Sequence, residues 1–357
     1  MNGRKLILHI GTPKTASSSL QNYLEDHRHD LIDRFNITFP LLHENLFFLS
    51  HRNHAAVASF GLNIPSHYSE LKYTGPNLDE PTGIHLLLRE IFGYKGMPAI
   101  EKWREVVASW KIEFETVVAG IETEFTVISS ESFFHLYASN EEVERLYKYL
   151  RQFFDSVQVV VFLRRQIDYI ASQWRQSLFE GAASKCLPTP LDLETHCLSL
   201  DYAAKIKPWR DHFDGVSVVD FTDLVRSGSL LDEAFWNATG LSVHGLRKPS
   251  VVNPGIDSID IPLFISLLDN FPRWNPDGSF NADRSMSNDI LTNLHLPRTR
   301  YLAFTREQED AYKNYYHHCN DLLVNEYAVS SSWYGLEAAE KSRYYDEISD
   351  TDLLDRA

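Results

Sequence analysis

Val157–Leu163 reads V-Q-V-V-V-F-L, seven residues interrupted by a single polar side chain. A strand this apolar has to be covered on both faces, the condition of a strand inside a parallel sheet. Lys5–Ile10 (K-L-I-L-H-I), closed by Gly11, and Phe125–Ser129 (F-T-V-I-S) are further runs of the same kind, and Val216–Phe221 predicts a fourth strand. Between them the apolar period is helical. Leu20, Tyr23, Leu24, His27 and Leu31 fall on one face of a helix starting near Ser18, where Ser18 and Gln21 have the spacing of a capping box. Helices are also predicted over Ile100–Trp110, Glu141–Phe154, the stretch from Ile167 to Gly181, Tyr202–Phe213, Leu230–Thr239 and Glu307–Tyr327. Strands alternating with helices predict an α/β fold with a central parallel sheet covered on both faces.

The chain has 357 residues, which suits one large domain with insertions. Residues 36–97 and 245–300, rich in His, Asn, Pro and Gly, are the expected insertions and form the candidate acceptor side of that single domain. No apolar run approaches the roughly 18–20 residues of a membrane span, and the apolar stretch before Gly11 is too short for a signal peptide. Three cysteines make no disulfide framework and suit a reducing compartment, so a cytoplasmic protein is expected. The net charge of −15 argues against nucleic acid as a partner. An anionic ligand would need a local basic pocket in an acidic molecule.

In open α/β sheets ligands bind beyond the carboxyl ends of the strands. Three such ends carry suitable groups, and they line one crevice if their strands are neighbours. After the first strand comes T-P-K-T-A-S-S-S, Thr12–Ser19. Its helix start offers amides and a positive dipole end to an anion. The small residues Ala16, Ser17, Ser18 and Ser19 allow close approach, and Lys14 supplies a charge. The lysine precedes the small residues and no second glycine follows Gly11, unlike the ATPase loop. A polar turn before a capped helix has the same composition. After the second strand, Glu131 stands where burial would raise its pKa toward that of a base, or where it would cap a helix. After the third come Arg164-Arg165 and, eight residues beyond Arg164, Ser172. Arginine and a serine two turns into the next helix can share a phosphate, or stand as a basic helix start and a solvated hydroxyl.

At these residues the chain resembles the sulfotransferases that use 3′-phosphoadenosine 5′-phosphosulfate (PAPS). Pro13–Ser19, P-K-T-A-S-S-S, is similar to that family's 5′-phosphosulfate loop. Arg164 and Ser172 reproduce the spacing of its 3′-phosphate pair. The texture H-I-G-T-P-K-T, with S-S-E between the two motifs and N-H-A-A-V-A at Asn53–Ala58, looks closest to bacterial, carbohydrate-type members. The resemblance covers roughly residues 5–30 and 125–181. Val218–Leu224, V-V-D-F-T-D-L, echoes a Tyr-Glu-Asp-Leu of the family but departs from it at Phe221 and Thr222.

The resemblance implies a P-loop NTPase-like three-layer fold and in-line transfer of a sulfuryl group from PAPS to a hydroxyl, leaving 3′,5′-ADP. The acceptor implied is a carbohydrate, a glycolipid or a small molecule. Lys14 would face the bridging oxygen of the phosphosulfate, with Thr12, Pro13, Thr15, Ala16, Ser17, Ser18 and Ser19 around it. Glu131 would be the base, with His54 the alternate. Arg247 would belong to a late basic loop on the 3′-phosphate. No metal is expected. A kinase-like phosphotransferase on a related fold and a non-catalytic nucleotide- or glycan-binding domain are the competing readings.

Overall fold

The computed structural model describes residues 3–42, 54–62, 100–137, 139–180, 186–195, 200–248, 261–271, 281, 283 and 303–334. The chain divides into two compact units. Residues 1–164, 201–252 and 322–329 form the first, and residues 165–200, 253–321 and 330–357 the second.

The first unit holds the sheet. Its strands are β1 (Lys5–His9), β2 (Ile37–Thr38), β3 (Phe125–Ser129), β4 (Ser156–Leu163) and β5 (Gly215–Asp220). They lie in the order β2-β3-β1-β4-β5, all parallel. β1 therefore sits at the centre, His9 standing opposite Ser129 on one side and Val160 on the other. The three strand ends singled out in the sequence belong to three adjacent strands.

The pleat sends alternate residues to opposite faces. Ile7, Val127, Val160 and Phe162 join one buried cluster with α1 (Ser17–Asp26), α2 (Arg28–Phe35) and, later in the chain, Leu231–Thr239. Trp236 donates its indole N–H to the Tyr23 hydroxyl at 3.1 Å, and Gln158 donates to the Ala238 carbonyl at 3.0 Å. Leu6, Leu8, Ile128, Val159 and Val161 point the other way and are equally buried. On that side lie α3 (Ile100–Ala119), α4 (Ser132–Leu136), α5 (Asn140–Leu150) and the helix Tyr202–His212, whose Trp209 meets Phe133 edge-on. Helix, sheet and helix make the three layers that the apolar strands require.

The second unit contains α6 (Gln166–Glu180) and α7 (Pro190–Thr195). In chain order, Tyr202–His212 is α8, Phe221–Ser227 is α9, Leu231–Thr239 is α10, and Ile261–Asn270 is α11. The last is a helix in a segment whose composition reads as loop. α12 (Arg306–Tyr315) also lies in the second unit and α13 (His317–Tyr327) follows it, so the single helix expected over Glu307–Tyr327 is two. Arg165 anchors the second unit. It is almost fully buried, grips Asp168 through two bonds of 2.9 and 3.0 Å, and binds Glu309 with its remaining arm. Gln166 meanwhile donates to the Asn320 amide oxygen at 2.8 Å.

The predicted first helix also departs from expectation. It breaks at His27, so Leu31 belongs to α2, and the capping box of Ser18 and Gln21 does not form. Ala16 is the N-cap instead, in the left-handed region at φ 59°, and Ser18 is exposed. Gln21 is buried, reaching Ser129 rather than the helix start. No described helix is long and apolar enough to cross a membrane.

Candidate active site

The loop between β1 and α1 is held from β4. Thr12 donates its amide N–H (3.2 Å) and its hydroxyl (3.0 Å) to the Phe162 carbonyl, and Thr15 donates its hydroxyl to the Thr12 carbonyl at 2.5 Å. Thr12 and Thr15 are thereby buried and spent on the loop's shape, while Pro13, Lys14 and Ala16 remain partly exposed.

Within this short turn Lys14 (φ 64°) and Ala16 (φ 59°) are both left-handed. For residues with a β-carbon that conformation costs roughly 1–2 kcal/mol each. Such strain persists where the surroundings impose it, and it concentrates at binding loops. No side chain caps α1, and a helix start is where backbone amides can meet an anion.

Arg164, the first residue after β4, closes the loop from the other side. Its Nη1 donates to the Lys14 carbonyl at 3.0 Å, and its guanidinium lies 5.9 Å from the centroid of Phe221, the first residue of α9 after β5. Two cationic residues 150 positions apart thus meet at one turn. The departure from the family pattern at Phe221 puts an aromatic ring against this arginine, while Asp220 caps α9 by accepting from the Asp223 amide at 3.0 Å.

Glu131 completes the arrangement. It occupies the N-cap position of α4, but its side chain makes no capping bond. Burial pushes its carboxyl above the usual carboxylate range. The Ser17 hydroxyl and the Lys14 ammonium both draw it back down. Carboxyl, hydroxyl and ammonium are therefore neighbours at the mouth of the loop.

His54 lies under this site. Its backbone N–H bonds to the Ser129 carbonyl at 3.1 Å and its Nδ1 accepts from the Ser129 amide at 2.9 Å, extending β3 by a side-chain staple. Nε2 faces the Pro40 carbonyl at 2.8 Å. The proton therefore sits on Nε2, and both ring nitrogens of this fully buried ring are engaged. That arrangement suits a structural histidine, not the alternate base.

The remaining site residues of the sequence are less closely gathered. Ser17 and Ser19 are buried in the first turn of α1. Ser172 lies on α6 in the second unit, and Arg247 is exposed in the coil beyond α10. Sequence reasoning missed His9, which is wholly buried at the end of β1 with its Nδ1 2.8 Å from the Ser129 hydroxyl. Its signal was a lone polar residue in the most apolar part of a central strand.

No protein-family model matches the chain, and no curated protein does. Among solved structures it is similar to a sulfotransferase from Alicyclobacillus acidocaldarius, at 16% identity over 71% of this chain and 87% of that one, with a TM-score of 0.41. So slight an overlap transfers no activity, and the chain's own residues have to carry the assignment.

Proposed function

We propose that the protein is a sulfotransferase that moves a sulfuryl group from PAPS to a hydroxyl of a carbohydrate or small-molecule acceptor. The observation that carries this reading is the 3.0 Å bond from Arg164 to the carbonyl of Lys14. It joins the lysine of the first motif and the arginine of the second at one strained, uncapped helix start.

The residues fit such a nucleotide. The first-turn amides of α1 and the ammonium of Lys14 would hold the phosphosulfate, and the guanidinium of Arg164 at the same turn would supply a cation for a second anionic group. PAPS would supply an activated sulfuryl group whose departure leaves charge on a phosphate oxygen. A fixed ammonium stabilises such charge without reorganisation. Glu131 would take the proton of the acceptor hydroxyl. Burial raises its pKa toward that task, and the adjacent ammonium opposes the rise.

Thermal unfolding with added 3′,5′-ADP, and separately with ATP and magnesium, tests the assignment. Stabilisation by 3′,5′-ADP and little by ATP is expected. The reverse would point to a phosphotransferase. Arg164→Ala should weaken 3′,5′-ADP by roughly 10- to 100-fold, the scale of one charged hydrogen-bonding group. An unaltered Kd would remove Arg164 from the cofactor site.

Glu131→Gln makes a two-part prediction. Sulfuryl transfer should fall steeply. Because burial raises the carboxyl's pKa, the native state holds that proton more tightly than the unfolded chain, and wild-type stability drops as pH rises through the window above the unfolded value. The glutamine variant lacks that loss, so it should be the more stable protein at neutral pH, with the difference vanishing toward pH 4. Equal stability at both pH values would contradict a desolvated carboxyl here.

A further inference from the structure

The helical layer opposite α1 also sends a cation to the carboxyl end of the sheet. α8 runs down toward β5. Two residues past its end, Asp214 accepts from the Val157 amide at 2.7 Å, near the amino end of β4. The helix therefore starts at the other end, where Asp201 caps it by accepting from the Ala204 amide at 3.0 Å. Lys205 stands in this first turn. Its ammonium lies 5.4 Å from the centroid of the Phe134 ring, and Tyr202 meets the same ring edge-on at 5.7 Å. Phe134 in turn donates its amide N–H to the Glu131 carbonyl at 3.2 Å. Further along α8, Trp209 packs against Phe133 (6.4 Å) and Tyr137 (5.4 Å), which fixes α8 on α4. Lys205 and Glu131 are thus linked through the first turn of α4.

What this lysine lacks is a counterion. Burial lowers its pKa to about 8, and no acidic neighbour among the described residues opposes the fall. Two residues later on the same helix, the exposed Lys207 pairs with Asp211. The chain carries 49 acidic side chains against 34 basic ones, so a part-buried ammonium with no carboxylate beside it runs against the composition. The face of an aromatic ring attracts a cation but neutralises none of its charge. A desolvated charge of this kind is satisfied by an anion brought in from outside. The anions of the nucleotide already have Lys14 and Arg164, which meet at the turn before α1. Lys205 comes from the opposite layer, with α4 beside it.

We propose that Lys205 determines specificity: it binds a carboxylate or sulfate carried by the acceptor near the hydroxyl that Glu131 deprotonates. The acceptor is then an acidic sugar or an acidic small molecule, not a neutral one. This rests on the reading of Glu131 as the base. The ring of Phe134, between the ammonium and the start of α4, supplies an apolar surface for the body of the same acceptor.

Two matched pairs of compounds test this: methyl glucuronide against methyl glucoside, and galactose 6-sulfate against galactose. With PAPS, at least one acidic member should exceed its neutral partner in kcat/KM by roughly 10- to 100-fold, the scale of one charged hydrogen bond. Lys205→Met should bring that ratio close to one, and Lys205→Arg should keep it well above one. Lys205→Gln carries the test if the methionine variant does not fold. A second readout needs no turnover. In protein labelled with 13C-lysine, the side-chain signal lost in Lys205→Met reports the titration of this residue. Saturation with the preferred acidic compound should raise its midpoint by about one pH unit, because an anion favours the charged amine, and the neutral partner should leave it in place. Equal use of acidic and neutral partners, or a preference that survives Lys205→Met, overturns the proposal. So does a midpoint that ignores both acidic compounds. Transfer to none of the four, with a midpoint that still moves, would instead overturn the sulfotransferase reading and leave the anion site standing.

Discussion

Lys14→Ala is expected to lower sulfuryl transfer by at least about 10²–10³-fold, the usual cost of removing one pre-organised group from developing negative charge. The side chain projects from a turn whose backbone is fastened independently of it, by Thr12 and Thr15 and by Arg164 on the carbonyl of residue 14. The variant should therefore fold as wild type does, and any relief at a left-handed position would be small, since alanine also carries a β-carbon. Release of 3′,5′-ADP from PAPS, in the presence of a panel of sugar and phenolic hydroxyls, measures the effect. Lys14→Arg should recover little, because a planar fork cannot replace a compact ammonium in a tight turn. Wild-type turnover in Lys14→Ala would end the assignment of this loop to a phosphosulfate.

The other large effect concerns stability. Arg165→Met is expected to destabilise the protein by about 3–5 kcal/mol, because it takes the buried guanidinium away from Glu309, itself buried, and from the partly buried Asp168. The triple variant Arg165→Met, Asp168→Leu, Glu309→Leu should regain most of that loss, since an apolar trio requires no desolvation of charge. Urea unfolding reads both. Arg165→Met at wild-type stability would mean that the buried trio contributes nothing to the second unit. Arg164→Ala, one residue earlier, should cost less than Arg165→Met in the same experiment, since its part-buried side chain gives up a bond to a backbone carbonyl and leaves no carboxylate behind.

That contrast marks how far the residues alone could be read. The strands were legible because parallel-sheet interiors demand unbroken apolar runs, and F-T-V-I-S occupies the predicted positions residue for residue. The adjacency of the three polar strand ends was legible only as a condition on strand order, and the order β3-β1-β4 meets it. The division of labour between Arg164 and Arg165 was not, since adjacent identical side chains differ only in which unit each turns toward. Nor were the left-handed turns at Lys14 and Ala16, which glycine or asparagine would have advertised. The break at His27 has no proline or glycine to announce it. β2 has two residues and α4 five, both below the length at which a hydrophobic period can be recognised. The Asn53 that opens the N-H-A-A-V-A element lies outside the described residues, as do most of 36–97 and 245–300.

The position of β1 carries a last consequence, for the order in which this molecule acquires its parts. The strand and its loop leave the ribosome before β3 and β4. Yet the bonds that Thr12 and Arg164 make at the turn depend on residues 162 and 164, and the strand's own partners begin at 125 and 156. A nascent chain ending at residue 150 would carry the whole of Thr12–Ser19 and be unable to shape it. The shape of the turn is thereby deferred until the fourth strand has docked, and a product truncated before it cannot build the loop.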